Sequence, residues 1–253
     1  MSDALLRLPP GYRLLAYDRL ASSNDEAKHL ARQGAAAGTI VWAREPTAGR
    51  GRRGRTWVGL PGNLAVSFIF RPNCAAGAAA QLGFVAALAV GETIRAVAPA
   101  DAALAYKWPN DVLLNRRKVS GILLESEMTA GGGLDWLVIG IGLNIAAHPE
   151  ATEHPSSSLA AEGCAVLDPG DALATLATHL LAWRMRWQGE GFAPIRAAWL
   201  AGAAGRGGML TARLEGGTLS GRFRDLDGDG ALLLETEAGL RRVTAGEIFP
   251  VPG

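Results

Sequence analysis

The chain has 253 residues, 49% of them hydrophobic, with 25 basic and 24 acidic side chains and a net charge of +1. This is room for one large domain, or a medium domain plus a small one, and near-neutral charge argues against a protein devoted to gripping nucleic acid. Cys74 and Cys164 stand far apart, which excludes a disulfide framework or a cysteine metal site and fits a reducing, cytoplasmic setting.

The N-terminal MSDALLRLPPGYRLLAYDRL has no basic region leading into an apolar one. No signal peptide is expected, and no apolar run approaches membrane-spanning length. YRLLAYDRL predicts a first strand. Ser23 and Glu26 have the spacing of a capping box for the following helix, which Gly34 or Gly38 would end. GTIVWAREPTAG predicts a strand that stops at Pro46. The loop Gly49–Arg55, GRGRRGR, comes next, and NLAVSFIFRP is a strand. AAGAAAQLGFVAALAVGETIRAVAP predicts a long helix ended by Pro99. LAYKWPNDVLLNRRKVSGILLESEM predicts strands joined by a turn at Asn115–Arg116. LDWLVIGIGLNIAAHP is apolar on both faces, hence central in a sheet. Residues 170–201 have helical periodicity, with Leu173, Leu176, Leu180, Trp183 and Trp187 near one face.

After AGAAGRGG the texture changes to short strands separated by Gly-Gly, Asp-Gly-Asp-Gly and Ala-Gly turns. That predicts a small all-β unit, expected as a barrel, with a boundary near residue 205: one domain over 1–205 and another over 206–253. Strands and helices mix before it without regular βαβ alternation, so the class is α+β.

Three stretches carry chemistry. GRGRRGR puts four arginines on flexible backbone. Glycine lets N–H groups approach a ligand, and arginine binds phosphate or carboxylate bidentately. The loop lies between strands, so it is not a P-loop, and by itself it reads equally as a solvated basic loop. KWPNDVLLNRRKVSGILLE places Asn110 and Asp111 at a strand start and Lys118 on the returning strand. A carboxylate able to hold Mg²⁺ thus sits near a compact ammonium, although a turn-capping Asp111 and an exposed Lys118 fit the same pattern. Lysine is scarce: Lys28, Lys107 and Lys118 are the three among 25 basic residues. In VIGIGLNI, Gly140 and Gly142 strip one face of a strand, which a helix or a ligand must fill. Asn144 ends the run and could read a nucleobase edge. The histidines show no ligand spacing, and no Ser-His-Asp context surrounds Ser67 or Ser120.

In this order and spacing, GRGRRGR with Trp57 and GNL, then KWPNDVLLNRRKVSGILLE, then VIGIGLNI, resemble the biotin protein ligase family over nearly the whole chain. The resemblance implies a class II synthetase-like catalytic domain, with a mixed, mostly antiparallel sheet and flanking helices, plus a small SH3-like C-terminal β domain. It implies activation of biotin by ATP to biotinyl-5′-AMP with release of pyrophosphate, then transfer to a lysine of a biotin carboxyl carrier protein. Acetyl-CoA carboxylase's carrier is the common acceptor. Mg²⁺ is the implied cofactor.

By the same resemblance, Lys118 contacts the biotin carboxylate and phosphate and leads the catalytic set with Arg50, Arg53 and Asp111. Asp111 is also the metal candidate. The biotin contacts are Ser22, Ser23, Asn24, Thr47, Gly49, Arg50, Arg52, Lys118, Gly121, Leu123, Gly140 and Gly142. The ATP contacts are Arg52, Arg55, Trp57, Asn110 and Asn144. The arginine loop is implied to be a lid that orders over biotin and the adenylate. One position departs from the family: Pro46 stands where glutamine is usual, three residues before Gly49, and proline has no polar side chain and no N–H. Thr47 or backbone would have to replace it.

Many bacterial members carry an N-terminal winged helix-turn-helix. Here the first strand begins almost at once, so an enzyme without operator binding, nucleic acid or membrane is expected. Relatives occur as monomers and as dimers paired through the central sheet. The alternatives are a lipoate or octanoate ligase, which shares the fold but lacks these loops, and an inactive ligand-binding homologue, which Pro46 would favour. A nucleic-acid-binding module would explain the basic loop and leave the other motifs unexplained.

Overall fold

The computed structural model describes residues 6–72, 74–131, 133–150, 152–153 and 155–250. Seven strands form the larger sheet: β1 (Arg13–Leu20), β2 (Thr39–Pro46), β3 (Leu64–Phe70), β4 (Leu104–Lys107), β5 (Asp111–Leu114), β6 (Arg117–Met128) and β7 (Leu134–Leu143). Their order is β1-β2-β3-β7-β6-β5-β4. β1 and β2 are parallel and the other neighbours antiparallel. The parallel pair needs a crossover, which helix α1 (Ser23–Arg32) supplies. β7, apolar on both faces, is the central strand.

Ser22 rather than Ser23 caps α1: its Oγ accepts from the Asp25 N–H at 3.3 Å. Ser23 is thereby free to turn inward, where its hydroxyl and that of Ser67 are hydrogen-bonded at 2.9 Å. Gly34, with φ +88°, takes the left-handed position just past the helix, which suits a residue without Cβ.

The two faces of the sheet are covered differently. On the α1 face, Ala27 and Ala31 pack with Val41, Ile69, Trp136 and Val138. The opposite face holds the main core, built on α3 (Leu82–Arg95), α4 (Pro169–Glu190) and α5 (Phe192–Ala201). The single helix expected before Pro99 is two pieces, α2 (Ala76–Ala80) and α3, and α3 ends at Arg95. The periodic run 170–201 is likewise two helices, broken at Gly191 with φ +75°. By length and composition Gly77–Arg95 could cross a bilayer, a possibility not expected from sequence; 78% of its most apolar window is buried inside the protein. The β5–β6 turn falls at Asn115 and Arg116, both left-handed (φ 49° and 67°), as a two-residue type I′ hairpin requires.

The C-terminal strands are β8 (Met209–Leu214), β9 (Gly217–Leu226), β10 (Leu232–Thr236), β11 (Gly239–Val243) and β12 (Glu247–Pro250). They form an antiparallel sheet in the order β11-β10-β9-β8-β12. Residues 244–246 carry the chain to the far edge, so β12 pairs with β8 and not with β11. Among the described residues no strand pairing joins β11 to β12. The sheet docks on the larger unit: Trp108 Nε1 donates to the Gly230 carbonyl at 3.1 Å, and Arg196 pairs with Asp225 at 2.5 Å.

Candidate active site

Strand alternation places the site. Along β7, Trp136 and Val138 belong to the α1 face and Leu137, Ile139 and Ile141 to the main core. Gly140 and Gly142 continue the α1-face row. Register brings Gly142 opposite Ala65 on β3 and Gly121 on β6, and Gly140 opposite Ser67 and Leu123. Two cross-strand rows, Ala65–Gly142–Gly121 and Ser67–Gly140–Leu123, make a floor that is low because three of its six residues are glycine. A cavity of about 240 Å³ stands on it.

Both glycines of β7 are overlaid by protein. A Cβ on Gly140 would lie 2.8 Å from Asn24 Cγ and closer still to its Oδ1. Asn24 is 4% exposed. Its Oδ1 accepts from Ser67 Oγ at 2.6 Å, and its Nδ2 donates to Glu125 Oε2 at 2.9 Å. Gly142 lies under the Trp57 indole: a Cβ there would be 2.7 Å from Trp57 Nε1 and would overlap ring carbons. The same ring lies 3.1 Å from a Cβ built on Gly121.

Trp57 arrives there because the arginine loop is a small hairpin. Its Trp57 N–H donates to the Gly49 carbonyl at 2.9 Å, and the Gly51 N–H to the Arg55 carbonyl at 2.7 Å. Arg50 and Thr56 form a bridge, and a 3₁₀ turn spans Arg52–Gly54. A side chain on Gly49 would collide with the Trp57 carbonyl. Each arginine has its own bearing. Arg50 reaches Asp25 at 2.5 Å. Arg52 Nη1 donates to Asn110 Oδ1 at 3.2 Å; burial lowers its pKa, against the pull of Asp111. Arg55 donates to Glu247 at 2.9 Å, and that hydrogen bond raises its pKa. Arg53 is exposed, with φ 54°.

Across the floor, Lys118 Nζ lies 2.6 Å from Asp111 Oδ1, the lysine side chain 26% and the aspartate side chain 9% exposed. The bulge between Val112 and Leu113 sets this pairing: Leu113 faces Lys118 while Asp111 faces Gly121. The ammonium is also 5.9 Å from the Trp57 ring centroid. Asn110 Nδ2 is held by the Ile122 carbonyl at 2.9 Å, and the Trp108–Pro109 bond beside it is cis.

The cavity gathers Ser22, Ser23, Asn24, Gly49, Arg50, Arg52, Arg55, Trp57, Asn110, Asp111, Lys118, Gly121, Leu123, Gly140, Gly142 and Asn144. Two expected residues are not brought in. Thr47 is exposed and spends its N–H on the Leu20 carbonyl at 2.9 Å, extending the β1–β2 ladder. Arg53, at the tip of the turn, faces a neighbouring groove with Asp229 and Arg242. Asn144 reaches the cavity with its Nδ2 already given to the Ser157 carbonyl at 3.0 Å. Pro46 lines the wall with an apolar ring packed over Gly59.

Two lining residues, Glu153 and Glu247, had no signal in the sequence. Glu247 is an ordinary strand glutamate in the C-terminal sheet, yet it is 9% exposed and holds Arg55 in the cavity. Glu153 joins it, 2.7 Å from Arg213. Asn63, just after the loop, accepts from the N–H groups of Ile145, Ala146 and Ala147 at 2.9–3.2 Å and so shapes the exit of β7. Its place in GNL was a usable hint.

No group of three or more His, Cys, Asp or Glu able to hold a metal occurs among the described residues. Asp111, a nearly buried carboxylate beside an anion-attracting surface, fits a habit of Mg²⁺, in which one or two carboxylates share the ion with phosphate oxygens and water.

A mixed sheet with a glycine floor, a lysine–aspartate pair and an arginine hairpin over them makes a site for an anionic ligand, and comparison with known proteins places it among protein ligases. Residues 8–201 match the Biotin/lipoate A/B protein ligase family, and residues 209–249 the Biotin protein ligase C terminal domain. The chain belongs to the biotin protein ligase family. It is 44% identical over 236 residues to the biotin–[acetyl-CoA-carboxylase] ligase of Paracoccus denitrificans, covering 91% of this chain and 98% of the relative. It is 33% identical to the Bacillus subtilis bifunctional ligase/repressor BirA, covering 94% of this chain and 74% of that one. The Aquifex aeolicus biotin protein ligase in complex with biotin and ATP superposes with a TM-score of 0.78 at 25% identity, covering 95% of this chain and 99% of the other. The Leishmania major enzyme in complex with biotinyl-5-AMP gives 0.63 at 26% identity, covering 94% of this chain and 100% of the other.

Proposed function

We propose that this chain is an ATP-dependent biotin–[biotin carboxyl carrier protein] ligase. What carries the reading is that three motifs spread along residues 49–145 converge on one cavity in a family with a relative solved in complex with biotin and ATP. A carboxylate is a poor acyl donor, and joining it to AMP supplies a good leaving group. One biotin carboxylate oxygen attacks the α-phosphorus and the bond to the β-phosphate bridging oxygen breaks, releasing pyrophosphate. A carrier lysine amine then attacks the carbonyl, the acyl–phosphate bond breaks, and AMP leaves.

Both substrates are anions, so their approach costs Coulomb energy that fixed cations offset. Lys118 and Arg52 are placed to do this where charge develops in the transition state. Ser22, Ser23 and the glycine floor would hold biotin. Trp57, Arg55 and Asn144 would take the nucleotide. Asp111 would hold Mg²⁺, which when bound neutralises phosphate charge. The arginine hairpin would exclude water from the reactive anhydride. The catalytic unit is taken as residues 1–205 and the C-terminal unit as 206–253, working in the cytoplasm on a carrier such as that of acetyl-CoA carboxylase.

The test is incubation of the purified protein with biotin, Mg²⁺-ATP and a biotin carboxyl carrier domain, followed by mass spectrometry. One biotin on one carrier lysine is expected. Unmodified carrier, with adenylate also absent, would contradict the reading. A second reading, binding without turnover, rests on the apolar Pro46 wall. It predicts saturable biotin binding with no AMP formed.

A further inference from the structure

Beside the cavity lies a cluster of which no step above uses Asp25, Lys28 or Glu125. Asp25 and Lys28 stand on the first turns of α1, Glu125 on β6, and Arg50 at the foot of the hairpin. Lys28 Nζ is 2.9 Å from Asp25 Oδ1 and 2.8 Å from Glu125 Oε1. Arg50 Nη1 is 2.5 Å from that same Asp25 oxygen and 3.6 Å from Glu125 Oε1. The other Glu125 oxygen accepts from Asn24. Without Arg50 the group has two carboxylates and one ammonium, a net charge of −1. Lys28 and Glu125 are the more enclosed members, their side chains 14% and 22% exposed, while Asp25 is 47% exposed. The cluster therefore presents one unbalanced carboxylate outward, and Arg50 neutralises it. Burial pushes the Asp25 carboxyl up, but hydrogen bonds from Lys28 and Arg50 outweigh this and leave its pKa lowered. It is ionised at neutral pH and ready for a cation.

We propose that Asp25, backed by Lys28 and Glu125, is the docking point of the arginine hairpin: it positions Arg50 and sets how long the hairpin stays over the cavity. The consequence for the ligase reading, on which this part rests, is retention of the acyl-adenylate between the two half-reactions. Glu125 binds the hairpin and the Asn24 carboxamide at once, so the floor and the lid share one support. Asp25 acts through Arg50 and is a positioning residue.

Two measurements on the full chain test this. In the ligand-free protein, limited trypsin cleavage within residues 50–55 reports hairpin opening without any chemistry. Asp25→Asn keeps size and removes the charge; it should speed that cleavage about fivefold, the reach of a half-exposed pair, with the melting temperature nearly unchanged. Asp25→Glu should restore most of the protection. Equal cleavage of wild type and Asp25→Asn would overturn the proposal. With biotin and Mg²⁺-ATP, release of biotinyl-AMP should quicken by a similar factor in Asp25→Asn; unchanged or slower release would overturn it too. If wild type forms no adenylate, the ligase reading fails while the proteolysis still decides the docking point.

Discussion

Gly140→Ala tests the packing that makes the floor. A Cβ there would lie 2.8 Å from Asn24 Cγ and overlap its Oδ1, so the carboxamide must leave. It cannot leave cheaply, since Asn24 is 4% exposed and tied at both ends. The bond from Ser67 is worth about 1 kcal/mol and the bond to the charged Glu125 about 2 kcal/mol. The expected loss is about 3 kcal/mol, or about 6–12 °C in melting temperature for a chain of this size. Urea unfolding followed by tryptophan fluorescence measures it. A double-mutant cycle then assigns the cause: with Asn24→Ala already present, Gly140→Ala should cost less than about 1 kcal/mol, giving a coupling of about 2 kcal/mol. A single-variant cost below 1 kcal/mol, or full additivity, would refute the account of this wall.

Two further outcomes follow. Lys118→Gln keeps a neutral donor for Asp111, so the fold should persist while adenylate formation falls about a hundredfold or more; turnover within threefold of wild type would remove Lys118 from catalysis. Burial pushes the Tyr12 and Tyr106 hydroxyls up to about 12. Because the folded values lie above the unfolded value of about 10, their stabilisation is complete below pH 10 and lost as pH rises toward 12. Phenolate absorbance should show two late ionisations and the urea midpoint should fall over that window; all phenolate signal near pH 10 would contradict it.

Much of this was legible in the sequence because it depends on period and turn chemistry. Alternation put Gly140 and Gly142 on one face of a central strand, and Asn115–Arg116 marked a hairpin that brings Lys118 back to Asp111. What escaped depends on tertiary position. The cap of α1 is Ser22, which leaves Ser23 to pair with Ser67, a residue 44 positions away. Thr47 was one of the candidates to stand in for glutamine at the cavity, but the β1–β2 ladder takes its N–H and its side chain is exposed. Glu247 could not be found at all: only docking of the C-terminal sheet brings it to Arg55, 192 residues distant.

The central claim is that this cavity joins biotin to AMP, and pyrophosphate release from Mg²⁺-ATP tests it most directly. The assay runs with biotin, with lipoate or octanoate, and with no acid. Release that depends on biotin alone is the expected result and shows that Pro46 is tolerated. Release with lipoate or octanoate in its place, or none with any acid, would contradict the account.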